Sequence, residues 1–204
     1  MKALLSSLTI FALGGTFAQP LQAQQTTDAG AEVGTPVVMT PEEGDVLWFS
    51  HESPDELGSG GELRIFLDHT THPEAGGSFA KFTLGVGGVL PVHRHEKTEE
   101  VGYIVSGEGV VVGIDEAGDE VEMQLAAGYV WYNPPGAWHA VRNTGEVPLE
   151  LVFATIPNEE QGLLSFFRQI GVEPGKEAKV IPAEEFARLA TEHDMILRPR
   201  EPEE

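Results

Sequence analysis

The sequence predicts an all-β protein, a sandwich or barrel of short antiparallel strands, followed by two helices. Three observations carry this. From Asp45 to Ile156 the chain breaks into short alternating segments separated by turn residues. Its 24 Gly and 14 Pro among 204 residues favour a turn-rich fold over a helical bundle. After Pro157 the apolar spacing switches from a period of two to a helical period.

The elements follow in order. Residues 62–67 place Leu63, Ile65 and Leu67 on one face, and residues 78–84 place Ala80, Phe82 and Leu84 together. Further strands are expected at 100–105, 109–114, 120–125, 130–132, 138–142 and 149–156, with Gly-, Pro- and Asn-bearing turns between them. Asn158 is placed to cap a helix, with Gln161 at the reciprocal capping position. Leu163, Phe166, Phe167 and Ile170 then share one face, and Gly171 is a natural stop. A second helix is expected from about Pro182 to His193, with Phe186, Leu189 and Ala190 inward. Both helices are expected to pack outside the β domain or on a partner subunit.

Residues 1–23 read as a secretory signal. Lys2 supplies the positive start, residues 3–18 an apolar stretch, and Ala18 and Ala23 alternative cleavage points. The stretch is short and diluted for a span of about 20 residues, an uncleaved anchor being the alternative. Residues 24–43 read as a linker or docked arm, in which Val37–Met39 could form an edge strand. The β domain is expected over 44–157, and the helices with an acidic tail over 158–204. The expected location is periplasmic or secreted, with no membrane association after cleavage. A net charge of −21 argues against nucleic acid or an anionic membrane as partner. The absence of Cys excludes disulfides, thiolate metal sites and a Cys nucleophile.

His93 and His95 lie two apart on a strand-like path, so they project the same way. Glu100 opens the next strand, and His139 comes from another hairpin. Three neutral imidazoles and one carboxylate suit a divalent first-row metal, with room for water or substrate on a six-coordinate ion. Taken alone, the His-x-His pair reads equally well as two solvent-facing histidines on an edge strand. Glu99 satisfies the gap after His95 nearly as well as Glu100, but only Glu100 also leaves six residues before Gly107. Glu99 is then expected to point outward or to support the ligands from behind.

The spacing Gly87-x5-His93-x-His95-x4-Glu100-x6-Gly107 and the spacing Gly128-x5-Pro134-x-Gly136-x2-His139-x3-Asn143 resemble the two motifs of the cupin family at every fixed position. The resemblance implies a double-stranded β-helix, the jelly-roll cupin barrel, in a single copy. It implies His93, His95, Glu100 and His139 as ligands of one ion, Fe, Mn, Ni or Zn. Gly107 and Gly136 are expected at turns with positive φ, and Asn143 at backbone groups of a turn.

Alternation from Glu100 turns Gly102 and Ile104 inward, and Gly102 reads either as space beside the metal or as a strand bend. Phe82, Leu84, Tyr132, Val141 and Phe153 complete an expected apolar lining. Trp131 and Trp138 read as packing, and His69 and His72 as a solvated loop. The family likeness implies a metal-dependent enzyme, most simply a quercetinase-like dioxygenase acting on a small organic substrate, or else a decarboxylase, isomerase or lyase. The alternative is a non-catalytic exported cupin that binds a small molecule around a structural metal. A homodimer is the expected assembly.

Overall fold

The computed structural model describes residues 36–50 and 57–199. The expected signal segment, most of the arm, His51 and the tail at 201–204 lie outside the described residues. Ten strands come first: β1 (Asp45–Phe49), β2 (Gly61–Leu67), β3 (Ser78–Leu84), β4 (His93–Arg94), β5 (Glu99–Ser106), β6 (Glu108–Ile114), β7 (Glu120–Ala126), β8 (Val130–Asn133), β9 (His139–Arg142) and β10 (Leu149–Ile156). Helices α1 (Leu163–Ile170) and α2 (Ala183–Glu192) follow, and a short β11 (Ile196–Leu197) ends the described chain.

The strands form two antiparallel sheets. One runs β1-β2-β3-β10-β5-β8, the other β11-β4-β9-β6-β7. Sequence neighbours are split between them, so the chain shuttles from sheet to sheet, as a jelly roll requires. The two sheets share a core rather than closing into one hydrogen-bonded cylinder. Leu63, Ile65, Ala80, Phe82, Ile104, Leu151 and Phe153 from the first meet Val111, Leu125 and Val141 from the second. The alternation that predicts these strands selects these inward residues, and each large one contributes about 1.5–3 kcal/mol on burial.

Four expectations need correction. Residues 37–39 form no strand; instead Arg64 Nη1 donates to the carbonyls of Glu42 and Glu43, which ties the end of the arm down. Asn158 does not cap α1. Its amide donates to the carbonyls of His72 and Ala75, and Gly162 stands at the N-cap with no side-chain bond. Tertiary partners won that side chain over a local cap. The helices also do more than pack outside. The ring of Phe167 lies 5.3 Å from that of Phe49 and 6.2 Å from that of Phe82, so α1 enters the apolar end of the sandwich. Finally, β11, absent from the expected pattern, pairs with β4.

Arg168 fastens α1 to the first sheet. Its Nε lies 2.6 Å from Oδ2 of the buried Asp68, and its Nη1 2.8 Å from Asp45 Oδ2. Burial raises the Asp68 pKa, but Arg168 and Thr71 outweigh it and hold the carboxyl below its ordinary value. Beyond α2, the Met195 amide donates to the Ala190 carbonyl, and the chain turns back into the second sheet.

Candidate metal centre

Two strands of the second sheet supply paired imidazoles. His93 on β4 lies directly opposite His139 on β9. His95 follows β4 at the start of the bend into β5. Glu100 comes from the facing sheet, on β5. The ligand atoms of these four buried residues lie within 4.8 Å of one another. The Nε2 atoms of His139 and His95 stand 3.5 and 3.8 Å from Glu100 Oε2.

Each imidazole is turned by a backbone carbonyl. His93 Nδ1 donates to Pro91 O at 2.7 Å, His139 Nδ1 to Ala137 O at 2.9 Å, and His95 Nδ1 to Asp194 O at 2.6 Å. A carbonyl only accepts, so each Nδ1 carries the proton and each Nε2 lone pair is free for the cluster. The Nε2 atoms of His95 and His139 are buried with no hydrogen-bond partner. Buried polar atoms of this kind call for a partner. A cation among three imidazole lone pairs and a carboxylate supplies it, so the donor set fits a divalent metal.

The electrostatics of His93 and Glu100 agree. His93 is pushed down to about 3, first by burial and then by His139 and His95. Burial raises Glu100, but His139 and His95 outweigh it and hold the carboxyl well below the usual range. Burial lowers His139, yet the Glu100 carboxylate beside it leaves it raised. A neutral His93 and an ionised Glu100 are the states a metal needs.

Asp194 is the support that the sequence reading did not find. Its carbonyl turns His95, while its carboxylate accepts from the amides of Glu96, Lys97 and Thr98 and from the Thr98 hydroxyl, at 2.8–3.1 Å. One residue therefore holds the whole bend between two ligands. Asp194 has φ 58°, a left-handed conformation that Asp and Asn tolerate better than most residues. An Asp just past a helix end is the available signal for it.

A family model described as Cupin domain matches residues 80–155. The oxalate-binding protein of Thermotoga maritima is 30% identical over 119 residues, which cover 55% of this chain and 94% of that protein. The chain is a cupin. Germin-like protein 3-3 of Oryza sativa subsp. japonica is 28% identical over 150 residues, 65% of this cupin and 64% of that protein. Among solved structures, a predicted oxalate decarboxylase from Thermotoga maritima is 27% identical with a TM-score of 0.48, covering 59% of this cupin and 99% of that chain.

Beside the four-residue cluster this cupin has a cavity of about 30 Å³, room for about one water. Phe82, Val141 and Phe153 line it, together with Leu90, Leu151 and Trp131. Leu163, Phe167 and Met195 close it from the C-terminal segment. Leu84 and Ile104 are buried in the core and do not line this cavity. Tyr132 is on the outer face, 56% exposed, where its hydroxyl donates to Glu99 at 2.8 Å. Glu99 thus points outward as expected, and the β8 phase is the reverse of the one read: Trp131 and Asn133 face in. Gly102 leaves no space beside the cluster. It lies across from Trp131, and a Cβ there would overlap the indole ring. Trp138 does pack, under the guanidinium of Arg94 at 4.8 Å.

The two motif glycines expected at turns have φ 84° and 82° at Gly107 and Gly136. Asn143 donates to the carbonyls of Leu84 and Val147 and accepts from the Gly145 amide. His69 and His72 belong to no metal-binding group among the described residues.

Proposed function

We propose that this cupin is a metal-dependent oxidoreductase of the dioxygenase type, acting on a small organic substrate, with His93, His95, Glu100 and His139 holding one first-row divalent ion. The observation that carries it is the convergence of four buried ligand atoms, three of them lone pairs set by carbonyl anchors, beside an apolar cavity. Bound there, the ion supplies Lewis-acid chemistry and, for iron, manganese or nickel, electron transfer. The chain's own part is to hold Glu100 ionised, to keep each Nε2 turned inward and to exclude bulk water with Phe82, Phe153 and Phe167. The test is elemental analysis of natively purified protein, joined to oxygen uptake on a panel of small organic acids and phenols. A stoichiometric redox metal with turnover is expected, and uptake that survives in the His93→Ala, His139→Ala double variant sinks the mechanism.

The second reading is a non-catalytic binding cupin with a structural metal. The likeness to the oxalate-binding protein of Thermotoga maritima favours it, as does a cavity with room for about one water. A tightly held metal without turnover on the same panel supports that reading.

The proposal extends to an exported homodimer. The outer face of the first sheet exposes Val101, Tyr103, Val105, Val130 and Tyr132, and its Lys81 and Glu150 neutralise each other at 2.9 Å. On a chain of net charge −21, such a face lets two copies meet without strong repulsion. Light scattering on the sized protein reads the mass, and a monomer contradicts the pairing.

A further inference from the structure

We infer that Trp131 and Asn133, the two inward residues of β8, are the hydrogen-bond donors that recognise the ligand of this site, and that this ligand is a small molecule with a single oxygen-bearing edge and an apolar remainder. The inference rests on the reading of the four-residue cluster as a metal centre.

Trp131 lines the cavity and is 7% exposed; Asn133 is 6% exposed. The indole Nε1 of the first and the amide Nδ2 of the second are buried with no partner. Two orphaned donors on one face of one short strand are unusual, because buried donors in folded proteins are nearly always paired. Their position gives the absence a meaning. Asn133 lies directly opposite Glu100 in the strand register, and Trp131 directly opposite Gly102. Side chains so placed are about 5 Å apart at Cβ. Asn133 is therefore the inward neighbour of Glu100 across the β5–β8 pair, and Trp131 sits one inward position further along, against the cavity. Gly102 serves this arrangement, since only a residue without a Cβ leaves the indole its seat.

The rest of the cavity defines the rest of the ligand. Leu90, Val141, Leu151, Phe153, Leu163 and Met195 meet whatever projects from the cluster. An apolar group is stabilised there, whereas a second carboxylate would be buried against aliphatic walls at a large desolvation cost. The volume of about 30 Å³ holds about one water while Phe167 and Met195 keep their places, so a ligand of a few heavy atoms enters with those two side chains displaced. A small monocarboxylate has this shape: two oxygens for the ion and the β8 donors, and a methyl end for the walls.

The probes are acetate and malonate, which differ by a second carboxylate, titrated calorimetrically into the zinc-loaded full-length protein, with zinc content measured before and after. Acetate is expected to bind more tightly than malonate by roughly tenfold or more, the reverse of the order chelation produces in free solution. Trp131→Phe, which keeps the ring on Gly102 and removes the N–H, is expected to weaken acetate roughly tenfold while zinc content stays stoichiometric. Asn133→Ala makes the same test without touching the indole. If the wild type takes up no zinc, the metal-centre reading falls and this inference with it. If zinc binds but acetate does not, or malonate binds more tightly, or both variants bind acetate like the wild type, the inference alone is overturned.

Discussion

His93 and His139 are anchored by carbonyls two residues back in the chain, at Pro91 and Ala137, whereas His95 is anchored by Asp194, 99 residues away. The first two ligands carry their own orientation within the local turn. The third borrows its orientation from the C-terminal segment, through the same residue that fixes the bend at 96–98. The difference teaches that the centre has two halves of unlike robustness. The β4–β9 half is set as soon as the second sheet forms. The His95 half also needs α1, α2 and β11 in place, and those are docked by Arg168, by Phe167 and by the β11–β4 pairing.

This contrast can be broken in graded ways. The largest effect is expected for Arg168→Met, which leaves Asp68 buried and unpaired, a loss of about 3–5 kcal/mol of stability by urea unfolding. Zinc affinity should fall with it, because α1 no longer seats the C-terminal segment. Next comes a chain ending at His193. It retains the local anchors of His93 and His139 but loses that of His95, and its zinc affinity in equilibrium dialysis should drop about 10–100-fold. Wild-type affinity in that chain would show that His95 needs no distant support.

A third test uses pH on the metal-free protein. His93 is held near 3 when folded and returns to its ordinary value of 6.5 when unfolded. Between those values the unfolded chain binds the extra proton, so this group makes stability rise with pH, by up to about 1.4 kcal/mol per pH unit. His93→Gln should flatten the slope of the unfolding free energy by that amount over the window and leave it unchanged above pH 7. The smallest effect is expected for Asp194→Asn. The carbonyl that turns His95 and a left-handed-tolerant residue both survive, while the carboxylate gripping residues 96–98 is lost. Stability should fall by about 1 kcal/mol, with zinc affinity changed by less than about threefold. A drop as large as that of the truncated chain would assign the support of His95 to the carboxylate rather than the carbonyl.

Much of the fold was legible because β2, β3, β5 and β10 alternate: Leu63 with Ile65, and Ala80 with Phe82, declare the inward face without outside information. The four clustered side chains were legible because their spacing is fixed by two local hairpin patterns. Residues 130–133 were not, because four residues hold too few alternations to set a phase, and their pattern permits Tyr132 inward as readily as Trp131 and Asn133. Gly102 could not be understood without that partner. Asp194 was out of reach for a different reason: its value lies in contacts across the chain, and a lone Asp after a helix does not name the loop it will hold. Leu163 and Phe167 read as the apolar face of a helix, and Met195 carries no pattern at all. Their hydrophobicity says that they are buried, but only the docked helix shows that they are buried against the metal-ligand cluster.

X-ray absorption at the metal edge of the loaded protein tests the central claim most directly. One ion per chain bound by three imidazoles and one carboxylate oxygen is the predicted result, with one imidazole missing from the spectrum of His139→Ala. A spectrum of the wild type without imidazole scattering, or one that the loss of residue 139 leaves unaltered, would contradict it.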